Sequence, residues 1–214
     1  MASTYIISAR THGRYLVEEG PPERLLVGFH GYGEAADAQM NRLRAIPAAE
    51  AWVIVSIQGL HRFYQRRTNE VVASWMTRQD RELAISDNLA YVAAVIDEVA
   101  REWPPAHLVF AGFSQGVAMT FRAAAACARP VAGAIAAGGD VPPEIGASAL
   151  ANIRSALVCR GSRDEWYTPA KFDSDLGRLR EAGVRVRSLE FDGGHDWSAD
   201  VVQAASAFLR GVVS

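Results

Sequence analysis

A serine set between glycines, in Gly112-Phe113-Ser114-Gln115-Gly116, is the position in this chain whose residue types and spacing point most directly to chemistry. An apolar run, His107 to Ala111, precedes it, and a small-residue helical stretch, Val117 to Ala128, follows. A serine at a sharp strand-to-helix turn stands clear of its neighbours, with its hydroxyl at the mouth of a sheet. The flanking glycines permit the backbone crowding that such a turn needs. A serine presented in this way attacks carbonyl carbons, so the expected chemistry is acyl transfer through a covalent intermediate.

That hydroxyl needs a base, and the base needs an orienting carboxylate. Of the five histidines, His195 stands in Asp192-Gly193-Gly194-His195-Asp196-Trp197, after the last apolar run and before the last helical pattern. Open α/β sheets place their chemistry in loops beyond the C-terminal ends of parallel strands. His195 meets that condition. His107 lies at the wrong end of its strand, His12 in an N-terminal turn, and His61 in an irregular loop. For the acid, Asp164 in Gly161-Ser162-Arg163-Asp164-Glu165 follows the strand at 156–159. Asp140, after the preceding strand, is the runner-up. Glu165 is adjacent to Asp164 and points away, and Asp192 and Asp196 are too near His195 in sequence to reach its ring. The expected triad is Ser114, Asp164 and His195, in that chain order.

A tetrahedral intermediate carries an oxyanion, which needs fixed N–H donors. The residue after the nucleophile, Gln115, supplies one. The loop after the strand at 25–29 reads His30-Gly31-Tyr32-Gly33 and offers the backbone N–H of Tyr32 as the other. His30 then braces the loop and is not the base.

Positioning these groups requires alternating strands and helices. The patterning predicts an N-terminal hairpin of 5–9 and 14–18 around His12-Gly13. Strands follow at 25–29, 52–57, 108–111, 131–137, 156–159 and 184–191. Helices are expected at 35–46, 82–103, 115–128, 169–182 and 199–213, with a short one in 142–150. Leu83, Leu89, Val92, Val95, Ile96 and Val99 mark the buried face of the long helix. The stretch from Gly59 to Arg81 reads as irregular and arginine-rich. Strands separated by helices of this length are joined by crossovers and lie parallel. The expected fold class is α/β, with a mostly parallel central sheet, helices on both faces and an antiparallel N-terminal edge hairpin. Residues 1–214 read as one domain without a separate lid.

Half the residues are hydrophobic and the net charge is −2, with no basic run, so nucleic acid and anionic membranes are not expected partners. No apolar run approaches the ~18 residues of a membrane span. Residues 1–10 do not read as a signal peptide, so the expected compartment is the cytoplasm. Cys127 and Cys159 are expected as reduced core residues. No metal site or cofactor is expected, because no Cys/His cluster has ligand spacing.

Taken together, the chain resembles the phospholipase/carboxylesterase family of α/β-hydrolases, which includes acyl-protein thioesterases and small bacterial carboxylesterases. The matching pieces are His30-Gly31-Tyr32-Gly33, Ser74-Trp75-Met76, Gly112-Phe113-Ser114-Gln115-Gly116, Gly138-Gly139, Gly161-Ser162-Arg163-Asp164 and Gly193-Gly194-His195. They run in order along nearly the whole chain. The resemblance implies the α/β-hydrolase fold, an ester or thioester substrate and a homodimer. Two departures bear on substrate: Met76 and Thr77 follow Trp75 where the family often carries an acid, and Tyr32 replaces the leucine common in the thioesterases' oxyanion loop.

The expected substrate is a small-molecule ester with a small to medium acyl group. Trp75, Met76, Trp166 and Trp197 are candidates for an apolar pocket, since each lies in a strand-end loop or beside a triad residue. Arg62, Arg66, Arg67 and Arg78 form a solvated face or meet an anionic substrate. Acyl transfer to another acceptor shares the first half-reaction. A non-catalytic binding protein on this fold and a peptidase are the remaining alternatives.

Overall fold

The computed structural model describes residues 1–213. Strands β1 (Arg14–Glu18), β2 (Arg24–Phe29), β3 (Val53–Gln58), β6 (His107–Phe113), β7 (Gly133–Ala137), β8 (Ser155–Gly161) and β9 (Arg185–Phe191) form one sheet in the order β1-β3-β2-β6-β7-β8-β9. Every pairing is parallel except β1 with β3. Strands β4 (His61–Tyr64) and β5 (Val71–Ser74) make a separate antiparallel hairpin. The helices are α1 (Ala36–Arg44), α2 (Arg81–Glu102), α3 (Gln115–Ala126), α4 (Ala147–Leu150), α5 (Pro169–Glu181) and α6 (Ala199–Val212), with a 3₁₀ turn at Pro47–Ala51.

The central strands are continuous apolar runs because both their faces are covered. In β2, Leu25, Val27 and Phe29 pack with Val92, Val95, Ile96 and Val99 of α2, Phe121 of α3 and Leu176 of α5. Leu26, between them, joins Met40 and Leu43 of α1 and Phe208 of α6 on the opposite face. The two-residue period of the strand thus divides its side chains between two cores.

The antiparallel edge is present but built differently from the expected hairpin. Residues 5–9 form no strand, and Tyr5, Ile6 and Ile7 are exposed. β1 takes its partner from β3, whose six residues are all buried and whose outer backbone edge would otherwise lack hydrogen bonds. The stretch expected to be irregular, 59–81, contains the β4–β5 hairpin. Its pairing is tertiary as well as local, because Ala73 also bridges to Glu34 beyond β2. Leu83, in the first turn of α2, is exposed where it was expected inside. β6 runs on to Phe113, so the strand feeds directly into Ser114.

Candidate active site

The backbone at Ser114 has φ 53° and ψ −121°, a conformation that side-chain-bearing residues rarely adopt. Holding it costs about 1–3 kcal/mol, so surrounding structure must enforce it. The Ser114 N–H donates to Ala137 O of β7 at 3.0 Å, and α3 starts at the next residue. The elbow is so tight that a Cβ on Gly112 would lie 2.4 Å from Gly116 O, and one on Gly116 would lie 2.1 Å from Phe29 O. Only glycine fits at either position.

Loops after β8 and β9 bring the other two groups together. His195 Nδ1 lies 2.8 Å from Asp164 Oδ2. An ionised carboxylate only accepts, so Nδ1 carries a proton, and in the neutral ring Nε2 is the nitrogen left with a lone pair. Asp164 Oδ1 accepts from the N–H groups of Trp166 (2.8 Å) and Tyr167 (3.0 Å), which fixes the carboxylate plane. Burial opposes the Asp164 charge, but the Tyr167 N–H, the His195 ring and the Trp166 N–H outweigh it and hold its carboxyl below the ordinary value. Its side chain is 1% exposed and that of His195 25%, so the acid is sealed and the imidazole reaches the cleft. The Phe113 ring flanks the imidazole at 5.0 Å between centroids.

Ser114 and His195 line one open cleft of about 520 Å³ together with Tyr32, Gln115, Gly138, Gly139, Asp140, Trp166, Tyr167, Lys171 and Ala118. Asp140, the runner-up acid, lies 4.0 Å from Lys171, while the His195 ring is bonded to Asp164. Asp192 pairs with Arg163, and Asp196 accepts from the Trp197 N–H at 2.7 Å.

The loop after β2 is braced from several sides. Glu34 Oε2 accepts the Gly31 N–H at 2.7 Å, and Arg42 grips the same carboxylate with both guanidinium NH groups, at 2.7 and 2.5 Å. Burial opposes the Glu34 charge, and the Arg42 guanidinium overcomes it, leaving the carboxyl below its ordinary value. Gly33 N–H donates to Ala73 O at 3.0 Å, and Glu34 N–H to Gly31 O at 3.4 Å. The Tyr32 N–H is not spent in any of these bonds. His30 is completely buried; its Nδ1–H donates to Gly31 O at 2.7 Å and its Nε2 accepts the Gly59 N–H at 3.0 Å. Both nitrogens are used by one neutral tautomer, so His30 is a brace with no lone pair left for proton transfer.

The four expected pocket residues separate. Trp166 is 76% exposed and lines the cleft. Trp75 is completely buried, its indole N–H donating to His30 O at 2.8 Å and its ring beside Phe29 and His30. Met76 is buried too and faces Arg122, whose guanidinium lies 3.4 Å from its sulfur. Trp197 packs into the core on the α1/α6 side of the sheet. None of these three lines the cleft, because short strand-end loops fold their large side chains back into the core. The cleft wall instead uses Ala118, Asp140, Tyr167 and Lys171. Asp140 enters the sequence reading only as the runner-up acid, and the glycine pair at 138–139 and Pro169 at the start of α5 are the other sequence signals near that wall.

Cys127 and Cys159 are free thiols, and burial pushes Cys159 up to about 12. Among the described residues no group of three or more His, Cys, Asp or Glu could hold a metal ion, and no helix is long and apolar enough to cross a membrane.

A search of curated protein sequences found no match. Solved structures with the same fold include esterase PE8, at 20% identity and a TM-score of 0.72, covering 94% of this chain and 100% of that one. Acyl-protein thioesterase 2 of Zea mays superposes with a TM-score of 0.74 at 17% identity, covering 95% of this chain and 100% of that one. The Bacillus cereus carboxylesterase gives 0.72 at 16% identity, covering 94% of each chain. These likenesses establish an α/β-hydrolase fold. The family model for phospholipase/carboxylesterase matches residues 15–213, from within β1 to past the end of α6. The chain therefore belongs to the phospholipase/carboxylesterase family of hydrolases.

Proposed function

We propose that this protein hydrolyses carboxylic esters and thioesters of small to medium acyl groups, with Ser114 as nucleophile, His195 as general base and acid, and Asp164 as the carboxylate that orients it. The observation that carries this is the Asp164–His195 hydrogen bond at 2.8 Å in a cleft that also presents the strained Ser114.

The steps follow from the groups. Nε2 of His195 takes the Ser114 proton as Oγ attacks the carbonyl carbon. The imidazolium that forms is stabilised by Asp164. Negative charge gathers on the former carbonyl oxygen, where the N–H groups of Tyr32 and Gln115 receive it. His195 then gives its proton to the leaving alcohol or thiol, and the C–O or C–S bond breaks. Water, deprotonated by the same imidazole, cleaves the acyl-enzyme and frees the serine. Preorganised N–H donors of this kind are worth about 10²–10³ in rate each.

The cleft supports the acyl-size assignment. It is open at the surface, and Ala118, Gly138 and Gly139 leave room in it beside the larger Tyr32, Trp166, Tyr167 and Lys171. The free thiols favour a reducing compartment, and we place the protein in the cytoplasm. Hydrolysis of p-nitrophenyl esters from acetyl to palmitoyl, with a short-chain thioester alongside, tests the assignment. Turnover greatest for the short and middle lengths is expected. Absence of turnover at every length would refute it.

A further inference from the structure

We propose that the Gln115 side chain is a positioning residue, an amide clamp that holds the two expected oxyanion donors in register through the segment Ala73–Met76. This rests on the hydrolase assignment above, which uses only the Gln115 backbone N–H.

Gln115 is the first residue of α3, and its side chain leaves the elbow for the end of β5. Its Oε1 accepts the Trp75 N–H at 3.0 Å, and its Nε2 donates to Met76 O at 3.0 Å. A backbone donor on one side and a backbone acceptor on the other fix which end of the amide is which. The Ser74 hydroxyl has one proton and two acceptors within reach, Met76 O at 2.8 Å and Gln115 Oε1 at 3.2 Å. Asn88 of α2 secures the same turn, donating to Trp75 O at 2.9 Å.

The other side of this segment holds the loop after β2. Ala73 pairs with it through Gly33 N–H to Ala73 O, 3.0 Å, and Ala73 N–H to Glu34 O, 2.7 Å. Two residues on, the Trp75 indole donates to His30 O at 2.8 Å. Tyr32 lies inside the span 30–34 that these three bonds pin. One strand end is therefore bonded both to the loop that carries the Tyr32 N–H and to the residue that carries the Gln115 N–H. Contact of Gly116 with Phe29 sets how closely elbow and loop approach. The amide clamp sets where they lie along each other.

An oxyanion donor works only within a few tenths of an ångström of its ideal distance, and a displacement near 1 Å costs about 100-fold. The clamp touches no substrate atom, so its loss changes transition-state binding and spares ground-state binding.

The test uses the whole chain with Gln115→Met, which keeps side-chain volume and removes the amide, and Trp75→Phe, which removes the indole bond to His30 O at the far end of the strut. Each is expected to lower kcat about 10- to 100-fold with KM within about twofold. An alkyl trifluoromethyl ketone, whose adduct with Ser114 places an oxyanion in the same hole, should bind more weakly in proportion. The double variant should lose less than the product of the single losses, because both substitutions cut one connection. Wild-type kcat in Gln115→Met, or losses confined to KM with ketone affinity unchanged, would overturn the clamp. Should Gln115→Met fail to fold, Trp75→Phe decides by the same readouts. An active chain whose variants keep kcat refutes the clamp alone; a chain without Ser114-dependent turnover refutes the hydrolase assignment and the clamp with it.

Discussion

Asp164 divides its two oxygens between separate tasks: Oδ1 accepts the N–H groups of Trp166 and Tyr167, and Oδ2, 2.8 Å from Nδ1, holds the ring of His195. The loop bonds aim the carboxylate before any substrate arrives, and the carboxylate in turn selects the imidazole tautomer. Asp164→Asn preserves the first task, since an amide oxygen still accepts from the loop. It spoils the second, since an amide N–H can force the ring into the wrong tautomer. The expected result is a kcat about 1,000- to 10,000-fold lower with an unchanged circular dichroism spectrum. A loss below tenfold would show that the ring is oriented by something else.

His30 gives a pH signature in stability. Burial lowers its pKa most strongly; the Gly31 carbonyl and Glu34 oppose this and Arg42 adds to it. The folded state thus resists a proton that the unfolded chain takes up at about pH 6.5. Stability from this group is complete above that pH and is lost progressively as pH falls from there toward the lowered folded value. Thermal unfolding measured from pH 8 to 5 should show this decline. His30→Gln, which offers one donor and one acceptor, should be less stable at pH 8 and flatter below 6.5. A variant with the wild-type slope would assign the decline elsewhere.

The Glu34–Arg42 pair predicts a coupled loss of stability and rate. The side chains are about a fifth exposed, 23% and 19%, so solvent screens them only in part. Glu34→Ala strands the Arg42 charge and frees the Gly31 N–H, for an expected cost of about 1–3 kcal/mol. Because that N–H precedes Tyr32, kcat should fall as well, which denaturant titration and steady-state kinetics on one preparation would reveal. Lost stability with unchanged kcat would show that the loop holds its shape without Glu34.

Gly138 offers a steric test of His195 as the proposed base. Its φ is +68°, and an added Cβ would meet His195 Cε1 at 3.1 Å and Nδ1 at 3.2 Å. Gly138→Ala should cost about 1–2 kcal/mol in backbone strain. It should also lower kcat by more than that strain explains, because the ring is pushed from Asp164. Wild-type turnover in this variant would mean that His195 tolerates displacement.

How far these features could be read from the sequence depends on how local their causes are. Ser114 and His195 declared themselves through glycines and strand-end positions, which are short-range signals. Asp164 required only that its loop follow the neighbouring strand. The β1–β3 pairing is not local: residues 5–9 are apolar enough to read as one arm of a hairpin with 14–18, but β1 pairs with the buried β3 instead. Trp75 looked like a pocket residue by its place in a loop, and only the meeting of that loop with His30 shows why the indole is buried. The amide bonds of Gln115 and the Glu34–Arg42 grip join segments that no sequence period relates. Lys171 and Asp140 reach the cleft wall because α5 packs beside the turn after β7, a fact of tertiary structure alone.

Ser114 as nucleophile is tested most directly by kcat for p-nitrophenyl butyrate in Ser114→Ala beside the unaltered chain, with thermal unfolding of both. Removing the nucleophile of such a triad costs about 10⁶ in kcat. The expected result is therefore turnover at or near background in the variant, with folding preserved, because alanine keeps the Cβ and with it the same backbone conformation and strain at position 114. A variant that folds and keeps turnover within tenfold of the unaltered chain would contradict the triad outright.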